Sequence, residues 1–204
     1  ATLVYTSGTT GPPKGAMLTN ANIAFCIEKI IRNPDRYPGK RLPSPDDLIV
    51  TYLPLCHAAE RLSSTWPLVS CGTPLHFAES IDTVFENLRE VQPTLFLAVP
   101  RIWEKLHASA LIKGQDATWV KRKFFRLGLA LNARVGKEKI ANGGNHTAKS
   151  RVLYAFSWLL VTRALLDRLG LRRCRYAVSG AAAIAPEVLE FFVGLGIPVF
   201  ELYG

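Results

Sequence analysis

The residues with the clearest chemical potential lie together in the segment Tyr5–Gly15, which reads YTSGTTGPPKG. Its glycines allow the backbone to curl so that successive N–H groups converge on an anion. Its hydroxyl groups add hydrogen-bond donors, and Lys14 adds a mobile positive charge. The segment therefore predicts a cradle for a polyphosphate, with contacts from Thr6, Ser7, Gly8, Thr9, Thr10, Gly11 and Lys14.

This segment differs from a Walker A phosphate loop. Pro13 stands where that motif needs a glycine, and Gly15 stands where it needs the metal-binding Ser or Thr. A run rich in Gly, Pro, Ser and Thr is also typical of an ordinary surface turn, and composition alone favours that alternative. The residues by themselves leave both interpretations open.

The whole Tyr5–Gly15 segment resembles the phosphate-loop signature of the AMP-forming adenylating enzymes, the superfamily of acyl-CoA synthetases, luciferases and nonribosomal-peptide adenylation domains. Two further stretches resemble family motifs in the family's order. Leu53–Arg61 (LPLCHAAER) resembles the second core motif, and Ser179–Pro186 (SGAAAIAP) with Glu201–Gly204 (ELYG) resembles the adenine-binding segment. Within the superfamily, the chain is most similar to long-chain fatty acid–CoA ligases, because of Phe96–Leu106 (FLAVPRIWEKL) and a basic helical insertion.

The resemblance implies a reaction in two halves. ATP and a fatty acid form an acyl-adenylate and pyrophosphate with Mg²⁺, and the thiol of coenzyme A then displaces AMP. The implied catalytic residues are Lys14, which holds the β- and γ-phosphates, and His57, which steers the fatty carboxylate toward the α-phosphate. The residues implied for the adenine side of the nucleotide are Gly180, Ala181, Ala182, Glu201, Leu202, Tyr203 and Gly204. No metal ligand is assigned within the chain.

Structural alternatives exist for several of these residues. A lone histidine such as His57 is more often a hydrogen-bonded structural side chain than a ligand. Small residues at Ala181–Ala183 also suit close helix–strand packing. Glu60 and Arg61 predict a structural ion pair rather than catalytic groups, and Trp103 is expected in the core.

Two other functions remain open at this stage. A fatty acyl-AMP ligase would hand the acyl group to a carrier protein instead of coenzyme A. A nucleotide-binding or membrane-docking module would carry out neither half of the reaction.

The net charge of +9 is concentrated in one part of the chain. Ser109–Arg175 contains fifteen Lys or Arg residues and three acidic ones. Such a block is most often a solvated helical face, less often a surface that binds an anionic membrane, and least often a surface that binds nucleic acid. We therefore expect no nucleic-acid partner, and peripheral contact with a membrane is the alternative to a solvated face.

Short apolar runs alternate with helical patterns along the chain, which predicts the α/β class, a mostly parallel sheet flanked by helices. Strands are expected at residues 2–6, 48–53, 74–78, 94–99, 175–178 and 197–202. Helices are expected at residues 20–32, 59–69, 81–91, 101–111 and 186–195, with longer helical stretches near 117–134 and 149–169.

Composition agrees with a folded protein. The chain has 204 residues, of which 49% are apolar, so it can bury a sizeable core. Its four cysteines form no CxxC pair, which favours reduced thiols and a cytoplasmic location. No apolar run is long enough to cross a bilayer.

Both ends of the sequence lie in or beside strand-like runs. This pattern predicts a fragment of a larger chain. The resemblance then implies an incomplete N-terminal adenylation domain over residues 1–204, with a helical insertion at about residues 109–175 and without the C-terminal lid domain. We expect such a fragment to be inactive in isolation.

Overall fold

The computed structural model describes residues 2–6, 12–115 and 119–202. The chain divides into two compact units, residues 1–84 and residues 85–204. Each unit contains parallel strands separated along the sequence by helices. The α/β class that the alternating pattern predicts, with mostly parallel strands flanked by helices, is therefore confirmed.

An antiparallel hairpin precedes a pair of parallel strands in the first unit. The strands of the first unit are β1 Thr2–Thr6, β2 Lys14–Leu18, β3 Ile49–Thr51 and β4 Leu75–Phe77. β1 pairs with β2, and β3 runs parallel to β4. The sequence predicts a helix next after the Gly-rich segment, but β2 comes first. Its residues lack the β-branched side chains that mark strands, so its conformation depends on pairing with β1.

The helices of the first unit include two π-helical segments. In chain order, the helical elements of this unit are α1 Asn20–Cys26, the π segment Ile27–Ile31, the 3₁₀ turns Pro34–Arg36 and Pro38–Lys40, α2 Ala58–Glu60, the π segment Arg61–Thr65 and α3 Trp66–Cys71. Thr19 and Asn22 form a capping box at the start of α1. Gly72 ends α3 with a φ of 71°, a conformation in which glycine carries no Cβ penalty.

Three parallel strands with β6 in the middle form the sheet of the second unit. They are β5 Leu95–Ala98, β6 Tyr176–Gly180 and β7 Val199–Leu202. The helices are α4 Val84–Val91, which begins at the unit boundary, α5 Pro100–Gln115, α6 Trp119–Ala141, α7 Ala148–Ser157, the π segment Trp158–Thr162, α8 Arg163–Leu169 and α9 Pro186–Gly194. The predicted strands and helices agree with these elements to within four residues at each end, except that α6 continues seven residues beyond its predicted end near residue 134.

Aromatic side chains fill the centre of the second unit. Trp103 is fully buried, and its ring meets Phe96 at 5.3 Å and Phe192 at 4.9 Å between centroids, both edge-to-face. These contacts join β5, α5 and α9. The expectation that Trp103 belongs to the core is therefore confirmed.

Two glycines allow α6 and α9 to approach each other closely. A Cβ on Gly136 of α6 would overlap the carbonyl oxygen of Glu190 in α9, and a Cβ on Gly194 of α9 would overlap the carbonyl oxygen of Asn132 in α6. The backbones of the two helices are thus in direct contact at two positions, where any larger residue would push them apart.

The basic segment forms α6 and the helical run α7–α8. A buried polar cluster joins these helices: Ser157 Oγ donates to Oδ1 of Asn132 at 2.6 Å, and Asn132 Nδ2 donates to Oγ1 of Thr162 at 3.0 Å. Because these polar groups satisfy one another, their burial carries little desolvation penalty. The helical stretches predicted here are confirmed, while membrane contact stays a prediction.

None of the helices in the described part of the chain has both the length and the apolar character needed to cross a bilayer.

Replacing Gly136 by alanine should destabilise the protein. Alanine favours a helix by about 1 kcal/mol over glycine. The overlap with Glu190 outweighs this gain, so we expect the free energy of unfolding to fall by about 1–3 kcal/mol. Urea denaturation of the intact protein measures the change. Lys137→Ala, at an exposed position one residue along α6, is the control; a Gly136→Ala protein as stable as this control would contradict the close approach.

Candidate functional site

The β1–β2 hairpin carries the segment predicted to bind phosphate. Thr6 and Lys14 lie opposite each other where the strands meet the connecting loop, and Lys14 is exposed. The remaining predicted phosphate contacts lie outside the described residues and stay predictions: Ser7, Gly8, Thr9, Thr10 and Gly11. Of the predicted phosphate contacts, the structure thus describes Thr6 and Lys14, the pair at which the two strands meet the loop.

Tyr5 and Gly15 explain part of the motif by packing. They are partners in the hairpin, and ring atoms of Tyr5 lie 3.3 Å from the place that a Cβ of residue 15 would occupy. Glycine therefore allows the ring to lie against the β2 backbone, an arrangement that compensates for the missing side chain in a strand. The motif stabilises the hairpin as well as supplying polar groups.

His57 lies at the start of α2, just after a tight turn. Its N–H donates to the carbonyl of Pro54 at 2.8 Å, and its own carbonyl accepts from Glu60 N at 3.1 Å. The backbone is therefore fixed on both sides. The side chain is exposed, and its imidazole has no hydrogen-bond partner among the described residues. In the described structure, His57 is thus not a hydrogen-bonded structural side chain, and its ring is available to a ligand.

The expected ion pair between Glu60 and Arg61 does not form in the described structure; this prediction is wrong. Oε2 of Glu60 accepts the N–H of Leu53 at 3.0 Å instead. Nε of Arg61 donates to the carbonyl of Leu55 at 2.6 Å, and its Nη1 donates to Oγ1 of Thr2 at 3.1 Å. Adjacent helical residues point in different directions, so each side chain finds a backbone partner in the loop before His57.

The pKa of the Glu60 carboxyl is raised from its ordinary value. Burial is the main cause, because only 2% of the residue is exposed and an anion loses its hydration there. Hydrogen bonds from the backbone of Leu53 and from Ser64, together with the nearby His57, oppose the rise. A carboxyl this deeply buried acts as a fixed acceptor for the loop backbone.

In the second unit, Gly180, Ala181 and Ala182 leave the carboxyl end of β6. Both alanines are exposed, so close helix–strand packing is not their role in this conformation. Ala181 has a φ of 73°, in the left-handed region that residues with a Cβ rarely adopt. Ligands of parallel α/β sheets bind outside the carboxyl ends of the strands, which is where this loop lies.

Glu201 and Leu202 lie on β7 beside this loop. Leu202 is the register partner of Gly180, and Oε1 of Glu201 accepts the N–H of Ile184 at 3.2 Å. The structure therefore brings Gly180, Glu201 and Leu202 together at one end of the sheet. Tyr203 and Gly204 lie outside the described residues, so the predicted stacking of Tyr203 on a base stays a prediction.

Sequence reasoning missed the structural partners of these loops. Ile184 is seventeen residues from Glu201, and Thr2 is far from Arg61, so no local spacing reveals either contact. For the His57 loop, the available signal was the type of residue: an acid and a base three and four residues after a candidate histidine. Their partners are main-chain groups and a threonine, which carry no charge to suggest the pairing.

Comparisons with known proteins agree across the whole chain. A family model described as AMP-binding enzyme matches residues 1–204. Long-chain-fatty-acid–CoA ligase ACSBG2 of Xenopus laevis is 35% identical over 209 residues, which cover 100% of this chain and 27% of that protein. Putative fatty-acid–CoA ligase fadD11 of Mycobacterium tuberculosis (strain H37Rv) is 33% identical over 207 residues, covering 100% of this chain and 34% of that protein. The chain thus spans between 27% and 34% of the length of these two relatives.

The fold is also similar to a solved structure, the A-PCP didomain of carboxylic acid reductase from Segniliparus rugosus in complex with AMP. The TM-score is 0.60 and the sequence identity is 27%, over 99% of this chain and 23% of that chain.

Glu60→Gln should change how stability depends on pH. The unfolded carboxyl titrates near 4.5, and the folded pKa is higher. Between these values the folded state keeps a proton that the unfolded state has lost, so the free energy of unfolding falls as pH rises through this window. In Glu60→Gln this contribution is absent, and the variant gains stability relative to the wild type as pH rises above 4.5.

Denaturation of intact wild type and intact Glu60→Gln, at pH values from below 4.5 upward, measures the difference between their free energies of unfolding. Glu79→Gln, at an exposed position of the same unit, controls for loss of a carboxylate at the surface. A constant difference between wild type and Glu60→Gln at every pH would contradict the effect of burial.

Proposed function

Because the chain belongs to the AMP-binding enzyme family, we propose that the intact protein is an AMP-forming long-chain fatty acid–CoA ligase. The observation that carries this proposal is the similarity, over the whole of this chain, to fatty-acid–CoA ligases from a vertebrate and a bacterium. The arrangement within each unit supports it. The first unit has an exposed lysine where a strand begins and a histidine whose ring has no hydrogen-bond partner among the described residues, and the second unit has a loop of small residues at a strand end.

The first half of the proposed reaction joins the fatty carboxylate to AMP. A carboxylate oxygen attacks the α-phosphorus of ATP, the new acyl–oxygen–phosphorus linkage forms, and the bond from the α-phosphorus to pyrophosphate breaks. The carboxylate is already ionised at pH 7, so this step needs alignment and charge neutralisation rather than a base. Lys14 supplies positive charge to the β- and γ-phosphates, on which negative charge grows as pyrophosphate leaves.

His57 is the proposed group that orients the carboxylate. Its ring is exposed, while hydrogen bonds with Pro54 and Glu60 fix its backbone. The side chain can therefore bind a substrate oxygen without a change in the conformation of the loop. Such positioning is effective because reacting atoms must lie about 3–3.5 Å apart and in line for the displacement.

The loop at Gly180–Ala182 is the proposed binding edge for adenine. Its exposed small residues permit a flat base to approach the backbone, and Leu202 of the neighbouring strand borders it. Glu201 holds the far end of the loop through Ile184. The predicted contacts of Glu201, Leu202, Tyr203 and Gly204 with the nucleotide are part of this proposal.

In the second half, the thiol of coenzyme A attacks the acyl carbon of the adenylate, the thioester forms and AMP leaves. No described residue is assigned to that step. Nor is one assigned to the Mg²⁺ that the resemblance implies. Within the described residues, no three His, Cys, Asp or Glu side chains come together as a metal site.

The proposal is tested by incubating the intact protein with Mg-ATP and fatty acids of different length, with and without coenzyme A, and separating the products by chromatography. We expect AMP and acyl-CoA to rise together when coenzyme A and a long-chain acid are both present. Lys14→Ala should lower kcat/KM by about 10²- to 10³-fold, the loss typical of one donor to a developing charge. His57→Ala should lower it by about tenfold or more, through lost alignment.

Lys29→Ala and His76→Ala, at exposed positions of the same unit, are matched controls and should retain full activity. Acyl-adenylate without thioester would instead identify a fatty acyl-AMP ligase. Absence of turnover with every acid would favour a nucleotide-binding or membrane-docking module.

A further inference from the structure

Arg61 contacts both of the segments that carry the proposed catalytic residues. Its Nε donates to the carbonyl of Leu55, two residues before His57, at 2.6 Å. Its Nη1 donates to Oγ1 of Thr2 in β1 at 3.1 Å. One side chain therefore joins the loop that carries His57 to the hairpin that carries Lys14.

The guanidinium group suits this task. It is planar, permanently charged and presents N–H groups in fixed, divergent directions, so it can serve two acceptors on different segments at once. A lysine ammonium is a single donor centre on a flexible stem and does not reproduce that fork. The geometry at Arg61 thus depends on the shape of the side chain as well as on its charge.

The contact with Thr2 lies at the base of the hairpin. Thr2 pairs with Leu18, and the same ladder runs four residues further to Thr6 opposite Lys14, a distance of about 14 Å along a strand. Most residues of β2 are exposed, as are Leu3 and Tyr5 of β1, so side-chain packing holds the hairpin only lightly. A polar anchor at its base therefore has a large influence on the direction in which its tip points.

The loop before His57 is held by a second side chain as well, that of Glu60. Glu60 accepts the N–H of Leu53 through a buried carboxylate, while Arg61 binds the carbonyl of Leu55. The two side chains thus hold the loop at two points from the helical segment that follows it. Movement of this loop relative to α2 is restricted, and the remaining freedom lies in the hairpin.

On the basis of the proposed function, we propose that Arg61 is a positioning residue that holds the His57 loop and the Lys14 hairpin in a fixed relative position. The fatty carboxylate and the departing pyrophosphate are then aligned in the same complex. Arg61 touches neither substrate in this arrangement. It acts through the two segments that do.

This role has a kinetic signature. Each substrate is bound by groups that remain in place when the link is lost, so KM for ATP and for the fatty acid should change little. The alignment of the two reacting groups is lost, and misalignment lowers the rate of the chemical step. We therefore expect kcat to fall while both KM values stay within about twofold of the wild type.

The test uses fatty-acid-dependent exchange between ATP and pyrophosphate, which follows the first half-reaction of the intact protein. Thr2→Val removes the acceptor hydroxyl with little change of shape and should lower kcat by about 3- to 10-fold, the loss expected for one hydrogen bond. Arg61→Ala should lower kcat by about 10- to 100-fold. Arg61→Lys should recover little of this loss because it lacks the fork. Arg36→Lys, at an exposed position of the first unit, is the control and should keep wild-type kinetics.

The combination of Arg61→Ala with Thr2→Val separates a link from general destabilisation. If the two side chains act as one unit, the double variant has the kcat of Arg61→Ala alone. If Arg61→Ala does not fold, the same comparison is made with Arg61→Lys, and Thr2→Val alone still tests the prediction for kcat. Melting temperatures, measured in parallel, define conditions in which every variant is folded.

Several outcomes overturn the positioning role. They are a wild-type kcat for folded Thr2→Val, additive losses in the double variant, or a rise in KM with kcat unchanged. Absence of exchange in the wild-type protein would reject the proposed ligase function itself. Normal wild-type exchange together with an unaffected Thr2→Val would reject only the role of Arg61.

Discussion

Backbone groups in the loops after the strands of this protein have no partner in the sheets, and a buried donor without an acceptor costs about 1–3 kcal/mol. A carboxylate from the same unit meets this need in both candidate loops. Glu60 accepts the N–H of Leu53 before His57, and Glu201 accepts the N–H of Ile184 after the Gly180 loop. The exposed groups of each loop are left available because its backbone is already held.

The helical scaffold of the second unit gives the Gly180 loop a firm base. Helix α9 begins two residues after Ile184 and leads back into the sheet through β7. Its other side lies directly against α6 where Gly136 and Gly194 allow backbone contact. The basic segment includes α6, and α6 packs against α9, the helix that follows the proposed nucleotide loop. The segment therefore has a structural role that is independent of its charge.

The first unit holds its candidate functional groups with fewer apolar contacts. The hairpin is mostly exposed, and the turn before His57 is short, so polar links from Glu60 and Arg61 determine much of its geometry. Hydrogen bonds are directional, whereas apolar packing is not, and they therefore suit segments that must present a lysine or a histidine in a defined direction. A small change in such a link is expected to affect alignment more than stability.

The sequence by itself determined the α/β class, the position of nearly all strands and helices, and the family, because apolar periodicity and contiguous motifs are local properties of the chain. It predicted β1 but not β2, since Lys14–Leu18 becomes a strand through pairing with β1. It identified Glu60 and Arg61 as structural, yet it assigned them to each other. Only the tertiary structure decided that they hold Leu53, Leu55 and Thr2, because main-chain acceptors and donors are the same at every residue and become distinct partners only when folding brings them near.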